Sequence, residues 1–267
     1  MKPGRLYERD FNKLTEEEKA FKEEKKTSAG SILLTKPSNY YPAAVRHNLS
    51  MFPNNHLELM AIKEEADIVA LNTEFHNLIS EDGCLERDVL NFINQTPAYH
   101  IIGSILHDRF HFGHHELYLF KEMWLGDNYR TDYVLVGKGS GGYEFVLIEF
   151  EKPEGRITLK DGHLGEAFRK GNYQVEDWQI WMDANFAVFA KDLLSVCNGE
   201  LIGDIPVEFK EYDHTRFHYV VIAGRRSDFN VVTYRTARDK LQRTGNYLLH
   251  HDTLYEDSMA LTSMETF

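Results

Sequence analysis

The segment TDYVLVGKGSGGYEFVLIEFEKPEG, from Thr131 to Gly155, decides the expected fold of this chain. It contains two apolar runs rich in β-branched and aromatic residues, joined by a glycine-rich turn, which is the pattern of a buried β-hairpin. Three acidic residues lie at the open end of this hairpin: Asp132 precedes the first strand, and Glu149 and Glu151 close the second. The segment therefore predicts both a buried sheet and a group of carboxylates at its edge.

The predicted strand register brings these acids together. A turn closed by residues 139–142 would place Asp132 directly opposite Glu149, with both side chains on one face. Glu151 lies two residues beyond Glu149, so its side chain is expected on the same face. Opposed like charges are destabilising unless a counter-charge neutralises them, and converging carboxylates suit Mg²⁺ or Mn²⁺. The alternative is that the two glutamates lie in solvent and pair with nearby basic residues.

The remaining chain predicts an α/β domain. Residues 1–79 are interpreted as an N-terminal extension of helical and extended segments, with one helix from His56 to Ile79. Residues 80–267 alternate strand-like and helix-like patterns, which indicates a mixed β-sheet flanked by helices. Residues 98–106 are predicted to begin the strands, and a helix of about fifteen residues is expected within 165–186.

Composition limits the functions that the chain can perform. The net charge of −12 argues against a protein that binds nucleic acid through overall basicity, although a local site is compatible with it. No apolar run is long enough to span a membrane, and the N-terminus lacks the apolar core of a signal peptide. Cys84 and Cys197 stand far apart without a CxxC partner. These features predict a cytoplasmic protein with free thiols and no membrane partner.

Several segments resemble known nucleases. An aspartate, a hairpin and then Glu-x-polar is similar to the PD-(D/E)XK nuclease core. The segments LERDVLNFINQTP, LGDNYRTDYVLVG, VLIEFEKP, QVEDWQIWM, YVVIAGRRSD and HHDTLYE, in this order, resemble the Shedu family of bacterial antiviral nucleases over roughly residues 80–257. The resemblance implies a restriction-endonuclease-like fold, Mg²⁺ (or Mn²⁺) as cofactor, DNA as partner, a homo-oligomer, and an N-terminal extension that regulates or mediates self-association.

The resemblance also assigns roles to individual residues. Asp132 and Glu149 match the metal-binding acids of the nuclease core. Glu151 stands where many nucleases of this fold have a lysine, which would orient the attacking water and offset charge in the transition state. Glu151 is therefore a candidate metal ligand or base, and the missing positive charge is expected from Lys152 or from Lys170 on the following helix.

Further candidates surround this predicted centre. Gln174 matches the glutamine of the family's QxxDW segment, and it is expected to bind the carboxylates or a phosphate. Glu86, at the start of the first core helix, and Glu122, ten residues before Asp132, are secondary acidic candidates. The candidate nucleic-acid contacts share a positive charge or a ring nitrogen: Arg225, Arg226, Lys170 and His163.

Three functions follow, in order of preference. The first is a Mg²⁺- or Mn²⁺-dependent endonuclease that hydrolyses DNA phosphodiesters in defence against phage. The second is a catalytically inactive nucleic-acid-binding or assembly module on the same fold, which the glutamate at the lysine position favours. The third is a phosphoesterase that acts on nucleotides with the same site chemistry.

Overall fold

A mixed β-sheet forms the centre of the molecule. The computed structural model describes residues 3–29, 41–159, 163–200 and 205–267. Within these ranges five strands form the main sheet in the order β1-β4-β5-β6-β7, and two short strands, β2 and β3, form a separate ribbon. The strands are β1 Glu116–Lys121, β2 Trp124–Leu125, β3 Tyr129–Arg130, β4 Tyr133–Gly139, β5 Gly142–Phe150, β6 Phe217–Ile222 and β7 Asn246–Leu249. β1, β4 and β5 are antiparallel neighbours, whereas β5, β6 and β7 run parallel. The predicted mixed α/β architecture is confirmed.

Helices cover both faces of this sheet. They are α1 Glu16–Ala29, α2 Ala43–Leu49, α3 Leu59–Glu65, α4 Ile68–Ile79, α5 Glu86–Gln95, α6 His100–Gly103, α7 Glu166–Leu194, α8 Val231–Thr244 and α9 His251–Ala260. None of these described helices combines the length and the apolar character that crossing a lipid bilayer requires.

The central hairpin has the predicted register. Val134 pairs with Leu147, and Tyr133 pairs with Ile148 as the last step of the ladder. One further step in this antiparallel register brings Asp132 opposite Glu149. The hairpin therefore places its acids at the end of the sheet where strands β5, β6 and β7 terminate.

Alternation along the strands divides the interior into two cores. Val134, Leu147 and the fully buried Trp178 of α7 belong to the core on one face. Ile148 and Phe75 belong to the core on the other face, beneath α4, α5, α6 and α9. Because each fully buried large apolar side chain stabilises the fold by roughly 1.5–3 kcal/mol, these two layers fix the hairpin between them.

Three predicted secondary-structure elements were wrong in their type or bounds. The helix expected from His56 to Ile79 is two helices, because Asp67 ends α3 and caps α4 by accepting hydrogen bonds from the Val69 and Ala70 amides at 3.1 and 3.0 Å. The strand expected over residues 98–106 is absent, and residues 100–106 are helical, since a short buried apolar run has no alternation that separates a strand from a helix. α7 spans 29 residues rather than about fifteen, and it continues past the non-helical backbone of Asn185.

The described part of residues 1–79 packs against the sheet rather than apart from it. Leu6 lies in the core beneath α4 and α5, and Phe52 lies in the core beneath α7. His56 forms an isolated antiparallel bridge with Tyr118 of β1. The extension thus contributes to both cores, and its regulatory or self-associating role remains a prediction.

Candidate functional site

The three predicted carboxylates lie at one end of the sheet. Glu149 and Glu151 are each only 4% exposed, although both carry ionisable side chains. A side-chain oxygen of Asp132 accepts a hydrogen bond from the backbone amide of Phe150 at 2.7 Å, which ties the start of β4 to the end of β5. We call Asp132, Glu149 and Glu151 the carboxylate cluster. The alternative prediction, that the two glutamates lie in solvent, is excluded by their burial.

Helix α7 covers the carboxylate cluster through a glycine. A Cβ atom at Gly171 would lie 2.6 Å from Val221 Cγ1, 3.3 Å from Glu151 Cγ and 3.7 Å from Glu149 Cγ. Both glutamates therefore point to the same face of the sheet, as predicted. A glycine inside a helix costs about 1 kcal/mol relative to alanine, so its place here reflects close approach of the helix backbone to the acids.

Burial and mutual repulsion favour the protonated form of these acids. Burial, followed by the charges of Asp132 and Glu151, raises the pKa of Glu149 to about 10. Burial also raises the pKa of Asp132 to about 7, against the opposing hydrogen bond from Phe150. The pKa of Glu151 is raised by burial, and Lys170 opposes that rise. The cluster is thus short of positive charge, as is typical of functional sites.

Lys170 of α7 supplies the positive charge that contacts the cluster. Its Nζ lies 2.9 Å from Glu151 Oε1 and 3.9 Å from Glu86 Oε2. Burial lowers the pKa of Lys170, but the bond to Glu151 and the charges of Glu86 and Glu149 raise it above its ordinary value, so the ammonium is charged. The predicted secondary candidate Glu86, the first residue of α5, therefore belongs to this site.

The donor set fits a hard divalent cation. Asp132, Glu149 and Glu151 offer carboxylate oxygens, which Mg²⁺ and Mn²⁺ prefer. No three carboxylates among the described residues have ligand oxygens within 4.8 Å of one another, so the cluster is not a closed three-ligand cage. This agrees with Mg²⁺, which usually takes one or two protein carboxylates and completes its shell with water and substrate oxygens.

An open cleft of about 620 Å³ adjoins the cluster between α7 and the β2–β3 ribbon. Its walls include Arg130 on the ribbon and Arg169, Lys170, Tyr173 and Gln174 on α7. Lys170 thus lies at once in the cleft and in contact with the carboxylate cluster. The predicted Gln174 lines the same cleft.

Three other predicted residues are less closely connected with the cluster. Lys152 is exposed, and its side chain lies against Gly155 in the turn after β5. His163 lies exposed on the loop before α7. Glu122 is 62% exposed in its side chain and pairs with Arg130 at 3.5 Å, while its amide donates to the Asp132 carbonyl at 2.8 Å. Lys170 is therefore a stronger candidate than Lys152 for the missing site lysine.

The predicted arginine pair lies at the same sheet edge but serves another purpose. Arg225 forms a two-point ion pair with Asp252 at 2.7 and 3.0 Å, and it also donates to the Ile79 carbonyl. Arg226 pairs with Glu256. The structure does not bring either guanidinium to the carboxylate cluster, because both are engaged by acids of α9. Their predicted role in phosphate contact is not supported by these contacts.

Sequence reasoning missed several residues that line the cleft. Arg130 and Arg169 were not singled out, and neither was the exposed Tyr173. Arg169 immediately precedes the predicted candidate Lys170 in the sequence, and this adjacency could have identified it. Arg130 lies on a two-residue strand that no periodicity reveals. Gly171, in the middle of an apolar helical pattern, was the clearest unused sign of close packing.

Comparison with known proteins supports the resemblance noted in the sequence. The family model described as Shedu protein SduA, C-terminal, matches residues 83–255, which is more than half of the chain and contains the carboxylate cluster, Lys170 and the cleft. Comparisons with curated proteins and with solved structures gave no significant match. Membership suggests a role in anti-phage defence. The chain belongs to the Shedu SduA family.

Proposed function

We propose that this protein is a metal-dependent DNA endonuclease that acts in anti-phage defence. Asp132 and Glu149 would hold Mg²⁺ or Mn²⁺ at the sheet edge, and Lys170 would provide the positive charge that a lysine at position 151 provides elsewhere in this fold. The observation that carries the proposal is the buried carboxylate cluster beneath Gly171, with Lys170 2.9 Å from Glu151.

The excess negative charge of the cluster supports cation binding. Two buried glutamates and the half-buried Asp132 lie near one ammonium, and the raised pKa values of Asp132 and Glu149 indicate that the surrounding residues do not neutralise them. A bound divalent ion would polarise a phosphoryl oxygen and lower the pKa of an attacking water. Glu149 and Asp132 would lose their protons on loading, because carboxylates bind metal only when ionised.

Lys170 and Glu151 would work together beside the ion. Their ion pair fixes the Lys170 ammonium at the border between the cluster and the cleft. A charge at that border would stabilise the negative charge that develops on a phosphate during hydrolysis. Glu151 would orient the ammonium and would accept a proton from water.

The cleft offers cationic side chains to the backbone of a nucleic acid. Arg130, Arg169 and Lys170 line it together with the acids Glu166 and Asp177, so phosphates of one strand would contact the three cations between the ribbon and α7. The whole chain has a net charge of −12, which restricts nucleic-acid binding to a local surface such as this one.

The proposal is tested by incubating plasmid and single-stranded DNA with the full chain in Mg²⁺, Mn²⁺ or EDTA. We expect metal-dependent nicking that EDTA abolishes and that Glu149→Ala lowers by at least roughly a hundredfold. Asp252→Asn, outside the cluster, is the matched acidic control and should cleave like the unmodified protein when folded. Equal cleavage by Glu149→Ala and the unmodified protein would contradict the proposed site.

A second candidate, a non-catalytic nucleic-acid-binding or assembly module, is favoured by Glu151 at the position of the usual lysine. It predicts that the unmodified chain binds DNA through the cleft without cutting it. In that case Arg169→Ala would weaken binding, and Glu149→Ala would leave binding unchanged. Hydrolysis of free nucleotides in preference to DNA would instead support a nucleotide phosphoesterase.

A further inference from the structure

A second group of metal-ligating side chains lies outside the region matched by the family. His47, His56 and Glu58 place one ligand atom each within 4.8 Å of the others. His47 belongs to α2, and the other two belong to the segment between α2 and α3. Two imidazoles and a carboxylate are a donor set that zinc takes in proteins, usually with a water as fourth ligand.

His56 has an unused nitrogen at this place. Its Nδ1 is buried and has no hydrogen-bond partner among the residues that the structure describes. A buried polar atom without a partner destabilises the fold, so an atom in this state points to a ligand, an ion or a water. The ring is held in place by the backbone bridge between His56 and Tyr118 and by the Tyr7 hydroxyl, which donates to the His56 carbonyl at 2.9 Å.

His47 and Glu58 are held as metal ligands usually are. His47 is buried, and its Nδ1 lies 3.2 Å from the Pro53 carbonyl, so that nitrogen donates and Nε2 is left with its lone pair. Arg46 Nε lies 2.7 Å from Glu58 Oε1 and orients the carboxylate. Such hydrogen bonds to the ligands themselves fix tautomer and direction at metal sites.

The three ligand atoms lie close enough to share one ion. Ligand atoms around tetrahedral zinc lie about 3.3–3.6 Å apart, given bonds of about 2.0–2.2 Å. The atoms of His47, His56 and Glu58 lie within 4.8 Å of one another, and the side chains would close on the ion as they bind it.

We propose that His47, His56 and Glu58 bind Zn²⁺ and that this ion fastens the N-terminal region to the edge strand β1. The ion would join α2 to the segment that bridges Tyr118, and so would connect residues outside 83–255 to the sheet that carries the carboxylate cluster. This site is independent of the proposed nuclease chemistry.

The test is zinc binding by the full chain, which is first stripped with EDTA and desalted, then incubated with Zn²⁺ and desalted again. We expect one zinc per chain by elemental analysis, a visible Co²⁺ spectrum typical of tetrahedral nitrogen and oxygen ligands, and a rise in Tm of about 5 °C at roughly a hundredfold excess over Kd. His56→Gln and Glu58→Gln should each weaken binding at least roughly tenfold and remove the rise in Tm.

Two control variants distinguish this site from zinc binding elsewhere on the chain. His114→Gln and His115→Gln each remove an exposed histidine from the surface and should bind zinc normally. Circular dichroism confirms that each variant is folded, and Glu58→Gln alone suffices if His56→Gln does not fold. The proposal is overturned if the unmodified chain takes up no zinc, if both ligand variants bind zinc as it does, or if either control variant loses the ion.

Discussion

Two charged groups lie at the same edge of the sheet, on opposite faces, and they differ in how their charge is balanced. On the α9 face, Arg225 and Asp252 form a two-point ion pair. Burial alone would raise the pKa of Asp252, but Arg225 and the Arg226 amide lower it to about 2. On the α7 face, burial and neighbouring acids raise the pKa of Glu149 to about 10. A buried acid whose charge is balanced by a basic side chain has a structural role, whereas a buried acid without such a counter-charge points to a ligand.

The largest expected difference between the two groups is in DNA cleavage after one cation has been removed from each face. Lys170→Met should lower Mg²⁺-dependent DNA cleavage by about 10²–10³-fold, the usual loss when one charge-stabilising donor is removed from an active site. Arg225→Met should leave the rate of the folded protein nearly unchanged. Initial rates on plasmid, measured at low temperature with the folded fraction checked by circular dichroism, decide between them. Equal losses in the two variants would remove the distinction between the faces.

The second test replaces activity with stability as the readout. Asp252→Asn leaves the mostly buried Arg225 without its counter-charge and should lower the free energy of unfolding by about 3 kcal/mol. The isosteric Glu149→Gln removes a repelling acid and should leave the metal-free protein equally stable or more stable. Urea unfolding in EDTA measures both. A larger loss for Glu149→Gln than for Asp252→Asn would mean that the cluster is part of the structural framework.

The third test uses pH. Because the pKa of Glu149 in the folded protein lies above its value in the unfolded chain, the folded state holds a proton that the unfolded state releases. Its contribution to stability is therefore present at low pH and is lost as pH rises from about 5 towards 10, with a slope of up to about 1.4 kcal/mol per pH unit. Glu149→Gln should flatten this slope in EDTA. A difference between the two proteins that stays constant with pH would contradict the raised pKa.

The smallest expected effect concerns the glycine above the cluster. Gly171→Ala places a Cβ 2.6 Å from Val221 Cγ1, and the overpacking of roughly 1–3 kcal/mol is partly offset by a gain in helix propensity of about 1 kcal/mol. A net loss of about 1 kcal/mol, with weaker metal binding, is expected in urea unfolding and calorimetry. Gly199→Ala is the matched control, since its Cβ would meet nothing within 4 Å. Equal stability and equal metal binding of the two variants would mean that α7 does not pack closely on the acids.

The hairpin and its acids were predictable because their signals are local. The register of β4 and β5 depends on the length of the turn and on the apolar pattern along each strand, and both can be read from the sequence. This register pairs Val134 with Leu147. Glu149 and Glu151 stand out because they interrupt apolar strands. The boundary between α3 and α4 at Asp67 could not be predicted in this way, and neither could the helical structure within residues 98–106, because tertiary burial decided both.

The cation that completes the site could be named only as one of two candidates. Lys152 is adjacent to Glu151 in sequence, but strand alternation turns it away, and it lies exposed against Gly155. Lys170 lies far from Glu151 along the chain, and only the packing of α7 through Gly171 brings the two together. The phosphate contact predicted for the arginine pair stays a prediction. The ion pairs of Arg225 and Arg226 could not be foreseen, because their acids come from α9, which the strand pattern around Arg225 does not reveal.

Mn²⁺ titration by calorimetry at pH 7, in two buffers of different ionisation enthalpy, tests most directly whether the buried acids of the α7 face hold a metal. We predict saturable binding that is lost in Glu149→Gln. About one to two protons should be released per ion, because the Glu149 carboxyl is protonated at pH 7 and the Asp132 carboxyl, with a pKa of about 7, is partly protonated before the metal enters. Absence of binding, or binding that Glu149→Gln leaves unchanged, would contradict a metal site at these acids.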